Sequence, residues 1–195
     1  MKTIAFLLLF SFLPPALREI STTVDTDYET ISVPLGGGCS LACAMGWKLK
    51  ATSTLKDNGQ ITYGVENMND GLPETAWAEG AAGYGIGEKF IAQMEGDSSM
   101  KEIPFRGIRI ANGYQKNSKA WKDNSRIKKL KVYHNGKAVF IINLQDKMGV
   151  QFAKWDDKPL LLKFDDVITF EIMDVYKGDK YDDTVISDLS FDGAH

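Results

Sequence analysis

The sequence predicts an all-β protein, an antiparallel sandwich, and three observations carry that expectation. Short segments alternate apolar and polar residues with a period of two; Gly, Asn and Asp separate them; and no stretch of good helix formers is long enough to compete. In chain order, Ile108 and Ile110 flank Arg109, and Leu130 and Val132 alternate with Lys131 and Tyr133. Val139 and Ile141 repeat the pattern before Asn143, and Ile168, Phe170 and Ile172 face one way while Thr169 and Glu171 face the other. Val185, Leu189 and Phe191 form a last strand. Between two of these segments, His134-Asn135-Gly136 is a hairpin signal, because Asn-Gly supplies the positive φ angles of a type I′ turn. Trp47 and Trp77 each lead directly into or out of an apolar segment and are assigned to the core.

At 195 residues the chain has one domain's length and enough apolar content for a sizeable core. Its net charge of -3 conceals a division. Residues 1–100 carry 6 basic and 12 acidic side chains, residues 101–137 carry 11 and 2, and residues 138–195 carry 6 and 12. Such patches neutralise one another across a compact fold, whereas a nucleic-acid binder is basic as a whole, so nucleic acid is not an expected partner.

The opening MKTIAFLLLFSFLPPA sets one Lys2 before an apolar run at 4–13, then Pro-Pro-Ala. That is the layout of a secretory signal, too short to span a bilayer; a buried first strand or helix is the alternative. The expected organisation is a signal over residues 1–20, a polar linker or irregular entry over 21–38, and one domain over 39–195, in a secreted or periplasmic protein with no transmembrane segment. Cys39 and Cys43 lie in GGGCSLACAMGW. In an exported chain a close, even pair favours a disulfide stapling a tight turn, and no further Cys or His stands nearby to make a metal site.

An enzyme's constellation is hard to assemble. His134 belongs to the hairpin turn and His195 ends the chain, so a serine or cysteine nucleophile lacks its base. Two carboxylates from Asp165, Asp166, Asp174, Asp182 and Asp183 remain formally able to do hydrolase chemistry. GAAGYGIGE lacks the strand-to-helix context of a phosphate cradle and reads as a loop between strands.

Three stretches together resemble one family. They are KATSTLKDNGQITYGVENMNDGLPETAWAEGAAGYGIGE, IRIANGYQKNSKAWKDNSRIKKLKVYHNGK, and ITFEIMDVYKGDKYDDTVISDLSFDG. In this order and spacing they are similar to the discoidin-like, galactose-binding-like domains of the NADase-type glycan-binding class, relatives of the coagulation-factor type C domains. The resemblance covers roughly residues 39–193 and implies a jelly-roll sandwich whose loops at one end bind a ligand, commonly a glycan. It also places the basic run on a solvated strand face, with Ile127, Leu130 and Val132 turned inward.

On that resemblance the function is a non-enzymatic binding module for carbohydrate, with the hydrolase and a protein-binding adhesion or scaffold module as alternatives. Sugar recognition needs an aromatic ring against C–H groups, and amide or guanidinium donors for hydroxyls. Tyr84, Asn112, Tyr114, Trp121, Asn124 and Arg126 offer these in loops, Trp121 as the stacking platform. The alternative is that Trp121 covers the rim while Asn124 and Arg126 brace the loop with Asp174 or Asp182. The resemblance further implies a structural calcium ion held by Asn67 and Asp70 of the N-x-x-D-G loop and by Asp188 of the last strand, where the family carries glutamate. Hard oxygen ligands suit calcium; the alternative for Asp70 is an Asx turn.

Overall fold

The computed structural model describes residues 16–25, 46–96 and 102–193. The apolar run at 4–13, Cys39, Cys43 and His195 lie outside the described residues. Two sheets face each other. The first follows the order β1 (Arg18–Ser21), β8 (Lys137–Asn143), β7 (Arg126–His134), β11 (Val167–Tyr176), β5 (Lys89–Glu95), β3 (Gly46–Ala51). The second runs β2 (Thr23–Asp25), β9 (Val150–Lys154), β6 (Ile103–Asn112), β12 (Val185–Gly193), β4 (Trp77–Ala78), with β10 (Leu160–Leu162) also on β6. Pairing is antiparallel except between β1 and β8. The expected all-β sandwich is the fold.

Alternation dictates the core. Ile168, Phe170 and Ile172 of β11 are fully buried, as are Ile127, Leu130 and Val132 of β7 and Ile108 and Ile110 of β6. Aromatic rings fill the space between the sheets: Phe90 stacks on Phe170 at 4.8 Å, and Trp77 meets Phe90 edge-on at 5.9 Å. Trp47 lies 4.3 Å from Phe191 and is partly buried against the same cluster. In β8 the parity differs from expectation. Phe140 and Ile142 enter the core, while Val139 and Ile141 are half-exposed on the other face. Apolar residues on both faces gave the strand no readable period, and a register shift between Val132 and Tyr133 of the paired β7 shows that the ladder is irregular there.

A second difference lies at the N-terminal side. Residues expected to belong to the end of the signal and to a linker form β1 and β2, with Ile20 buried in the core and the Thr22 hydroxyl donating to Gln151 Oε1 at 2.8 Å. The sandwich therefore begins before residue 39. Four residues of β1 and three of β2 carry too little alternation to be recognised alone.

The basic run becomes a strand face as expected. Lys128 pairs with Asp174 at 2.7 Å, and Lys131 stands opposite Glu171 in the β7–β11 ladder. At the hairpin, Asn135 and Gly136 adopt φ of 48° and 78°, the left-handed values a type I′ turn requires. The turn is fastened to the loop before β11 by Asp166. Its carboxylate accepts from Asn135 Nδ2 at 2.6 Å, Lys163 N at 2.8 Å and lies 2.8 Å from His134 Nε2.

Burial pushes the Asp166 acid up, but hydrogen bonds from Asn135, Lys163 and His134 outweigh it and leave it below its ordinary value of 3.8. A depressed folded value means stability that is present above the ordinary value and lost as pH falls from there through the lower, folded value. Replacing Asp166 by Ala is expected to cost about 1–3 kcal/mol at neutral pH, from the charged hydrogen bonds removed. The difference from the parent protein should shrink as pH falls below about 4, and urea melts at several pH values check both points.

Candidate functional site

Topology gathers five loops at one end of the sandwich: those joining β3 to β4, β4 to β5, β6 to β7, β8 to β9 and β11 to β12. The sequence-predicted ligand residues all lie there, and the structure divides them.

Asn112, Trp121 and Arg126 form the frame. At the end of β6 the side-chain amide of Asn112 pairs with the backbone of Ile127 at the start of β7: Nδ2 donates to Ile127 O at 2.7 Å, and Oδ1 accepts from Ile127 N at 2.9 Å. The Asn112 carbonyl then accepts from Trp121 Nε1 at 3.0 Å and from Gln115 Nε2 at 2.7 Å. Trp121 sits on the short helix α1 (Ser118–Asp123), started by Asn117, whose side chain accepts from Ala120 N. Its ring is 9% exposed, with the Arg126 guanidinium 4.4 Å from its centroid. Arg126 in turn binds Asp146 Oδ1 through Nε at 3.1 Å and Nη2 at 2.8 Å, and Asn124 O through Nη1 at 2.9 Å.

These three side chains therefore brace the loop, and Trp121 offers no open ring face. The physical reason is backbone proximity. Gly113 has φ of 84°, and a Cβ there would stand 2.5 Å from Arg126 Cγ and 2.8 Å from Trp121 Cδ1, so the ring and the guanidinium fold back over the main chain. Arg126 finds its acid in Asp146, not in Asp174 or Asp182.

Tyr114 and Asn124 do face an opening. With Tyr63, Tyr181, Asp123 and Asp183 they line a cavity of about 420 Å³, a size suited to a small-molecule ligand. Beneath it, Ala76, Ala78 and Val185 are buried and packed by Leu55, Tyr63 and Tyr114. The Tyr114 hydroxyl donates to Glu74 O at 2.8 Å, and Asn124 Nδ2 donates to Ala120 O at 2.8 Å. Burial raises the phenol pKa of Tyr63 and Tyr114, with neighbouring carboxylates adding to it. Tyr181 is 43% exposed at the rim. Tyr84 lies outside the cavity, its ring under Lys177 Nζ at 4.5 Å.

Ser125 holds this wall in place. It is fully buried, its N–H donates to Asp183 O at 3.1 Å, and its hydroxyl donates to Tyr181 O at 3.2 Å and accepts from Gly178 N at 3.0 Å. Sequence reasoning missed Ser125, Tyr63, Tyr181 and the role of Asp183. A tyrosine beside two aspartates in KYDDT was the available signal for the last two.

The acidic residues of the hydrolase alternative do not converge. Asp165 and Asp166 precede the ten-residue β11, whereas Asp182 and Asp183 follow it, at the opposite end. Asp174 pairs with Lys128 on the strand. In the cavity Asp183 is accompanied by Asp123, whose carboxylate is held by Lys119.

At the expected calcium loop, Asp70 Oδ1 accepts from Leu72 N at 2.9 Å, which is an Asx turn, and Oδ2 accepts from Thr75 Oγ1 at 2.6 Å. Asn67 Nδ2 donates to Thr62 O at 2.8 Å and Ala76 O at 3.1 Å, so its amide holds the loop. Asp188 is 6% exposed. Its Oδ2 is buried without a hydrogen bond, 3.8 Å from Arg109 Nη2. Burial pushes its acid up to about 6, against the pull of Arg109 and with a further push from Asp70. Among the described residues no three His, Cys, Asp or Glu side chains are grouped to hold a metal.

Comparison with known proteins agrees with this architecture. The profile of the NAD glycohydrolase translocation F5/8 type C domain matches residues 43–192. The chain belongs to that family. Its fold is similar to the CBM32-1 and CBM32-2 domains of Clostridium perfringens ZmpB, with a TM-score of 0.60 at 11% identity over 94% of this chain and 42% of that one. The mycobacterial arabinofuranosyltransferase AftD gives a TM-score of 0.49 at 11% identity, over 75% of this chain and 10% of that one. This chain thus spans less than half the length of either protein. No curated protein matches its sequence.

Replacing Trp121 by Ala is expected to destabilise the fold by about 3–5 kcal/mol, the cost of emptying a buried aromatic site. Thermal or urea unfolding measures this directly. A melt unchanged by the substitution would return Trp121 to the surface.

Proposed function

We propose that the protein is a secreted or periplasmic, non-enzymatic module that binds a glycan in the tyrosine-lined cavity at the loop end of the sandwich. The observation that carries this reading is the combination in one cavity of Tyr63, Tyr114 and Tyr181 with Asn124 and Asp183. Phenol rings can lie against the C–H face of a pyranose, while amide and carboxylate groups address its hydroxyls. The family's binding-domain character and the likeness to carbohydrate-binding modules support it. Of the hydrolase alternative's carboxylates only Asp183 lines the cavity, and its lining neighbour Asp123 is held by Lys119, which supports binding rather than cleavage.

A glycan array followed by titration calorimetry tests the proposal. Tyr181→Ala should weaken binding of a positive sugar by about 1–3 kcal/mol, as for an aromatic anchor. Because Tyr181 is exposed, the melt should stay nearly unchanged, and prolonged incubation should release no reducing sugar. Unaltered affinity in both Tyr114→Ala and Tyr181→Ala would move the site elsewhere.

Calcium belongs to the same proposal as a structural ion. The fit is at Asp188, whose buried, unsatisfied Oδ2 is the oxygen a cation would satisfy, with Asp70 supplying further negative charge nearby. Asn67 Nδ2 holds the loop, and its Oδ1 is the atom that would face the ion. Calcium bound to the folded state alone must raise the melting temperature by mass action. Melts in EDTA and in millimolar calcium should differ, and Asp188→Asn should abolish the difference. Equal melts for the parent protein would leave Asp188 paired with Arg109 alone.

Export is proposed from the N-terminal pattern. Because β1 begins at Arg18, a removed signal must end before that residue if the strand is to remain. Intact-mass measurement of exported protein should therefore give a chain starting at or before Arg18. The same measurement should show a mass about two daltons lower than the reduced form, for a disulfide between Cys39 and Cys43, closed by loss of two hydrogens.

A further inference from the structure

The cavity has an uneven charge. Asp123 and Asp183 line it, and two more carboxylates act on its tyrosines: Asp57, whose Oδ1 accepts from Tyr63 N at 3.2 Å, and Glu74, which helps to raise the Tyr114 phenol. Against these, Lys56 also lines the cavity, Lys119 is engaged with Asp123, and Lys180 lies over the ring of Tyr181, 4.7 Å from its centroid. Asp183 is different from its neighbours. It is half-buried, and among the described residues no basic side chain pairs with it. Burial raises its acid above the ordinary carboxylate value despite a hydrogen bond from its own N–H, and Asp182 adds to the effect.

A half-buried carboxylate with no cation beside it is stabilised by whatever positive charge a ligand brings. Tyrosine faces add to this attraction, because their quadrupole draws cations as well as C–H groups. Lys180 shows that one face of Tyr181 already receives an ammonium group. An anionic sugar would meet Asp183 and the field of Asp57 and Glu74, against which stand Lys56 in the lining and Lys180 at the Tyr181 ring.

Resting on the reading of this cavity as a sugar site, we propose that Asp183 sets the ligand's charge. The cavity takes a sugar bearing a protonated amine, an unacetylated hexosamine, in preference to its neutral and anionic counterparts. The ammonium group donates to the Asp183 carboxylate, and the ring lies among Tyr63, Tyr114 and Tyr181. N-acetylation removes the charge and a uronic acid reverses it, so each step lowers affinity.

The probes are glucosamine and galactosamine, their N-acetyl forms, glucose and galactose, and the two corresponding uronic acids, each titrated into the full chain. At low salt the amines should bind about three- to tenfold more tightly than the neutral sugars, the attraction of unit charges near 4 Å being partly offset by their desolvation. Uronates should bind weakest, and raising the salt should narrow the spread. In Asp183→Asn, with its melt as a control for folding, the ratio of amine to neutral affinity should fall close to one. Equal binding of amines and neutral sugars, with both lost in Tyr181→Ala, would overturn the charge preference and leave the sugar site standing. An amine preference that survives in Asp183→Asn would overturn the role of Asp183. No binding by any probe, or binding indifferent to Tyr114→Ala and Tyr181→Ala, would overturn the sugar site and this inference with it.

Discussion

The loop end of this sandwich depends on one side-chain amide. Apolar packing holds the two sheets face to face, but such packing has no direction and fixes no loop. Asn112 supplies the direction. Its amide repeats the donor and acceptor of a peptide group, so it pairs with Ile127 as a neighbouring strand would and ties the end of β6 in one sheet to the start of β7 in the other. With both side-chain atoms so engaged, its own carbonyl is free to receive Trp121 and Gln115. The geometry of the loop between β6 and β7 therefore traces to one residue that is 1% exposed.

From that node the order spreads outward. Trp121 supports Arg126, Arg126 draws in Asp146 from the loop between β8 and β9, and Ser125 fastens Tyr181 and Asp183 from the loop between β11 and β12. Residues of the frame are saturated with internal partners, while residues of the cavity keep rings and polar groups for something else. That separation lets the cavity lining vary without loss of the scaffold, because few of its side chains hold another loop in place.

How much was legible in the sequence follows from the range of each interaction. Strands such as β11 and β7, whose alternation is clean, could be read with their facing, and the Asn135-Gly136 turn could be read with its backbone angles. β8 could not be read correctly, since it is apolar on both faces, nor could β1 and β2, which are too short to show a period. Residue types told that the loop 113–125 mattered, but not which of its members faced inward. An exposed tryptophan in a loop and one folded over a glycine have the same local sequence. Only the approach of Gly113 to Trp121 and Arg126 decides between them, and that is a tertiary fact. For the same reason Asp70 was readable as a turn residue from its own dipeptide, whereas the burial of Asp188 depends on both its neighbours across the sheet and the loop above.

The strands β1 and β2 place a constraint on the order in which the sheets are completed. β1 and β2 lie far in sequence from their partners, yet each completes one edge of its sheet by pairing with β8 and β9. Thr22 meets the carbonyl of Asn143, 121 positions later in the chain. Contacts of such long range are slow to form, so this segment is among the last to find its place. Until then β8 and β9 present unpaired backbone along their edges, the geometry by which one sheet recruits another. In the folded sandwich those edges are covered by the short strands β1 and β2, so the cover depends on a segment more than 100 residues away in sequence.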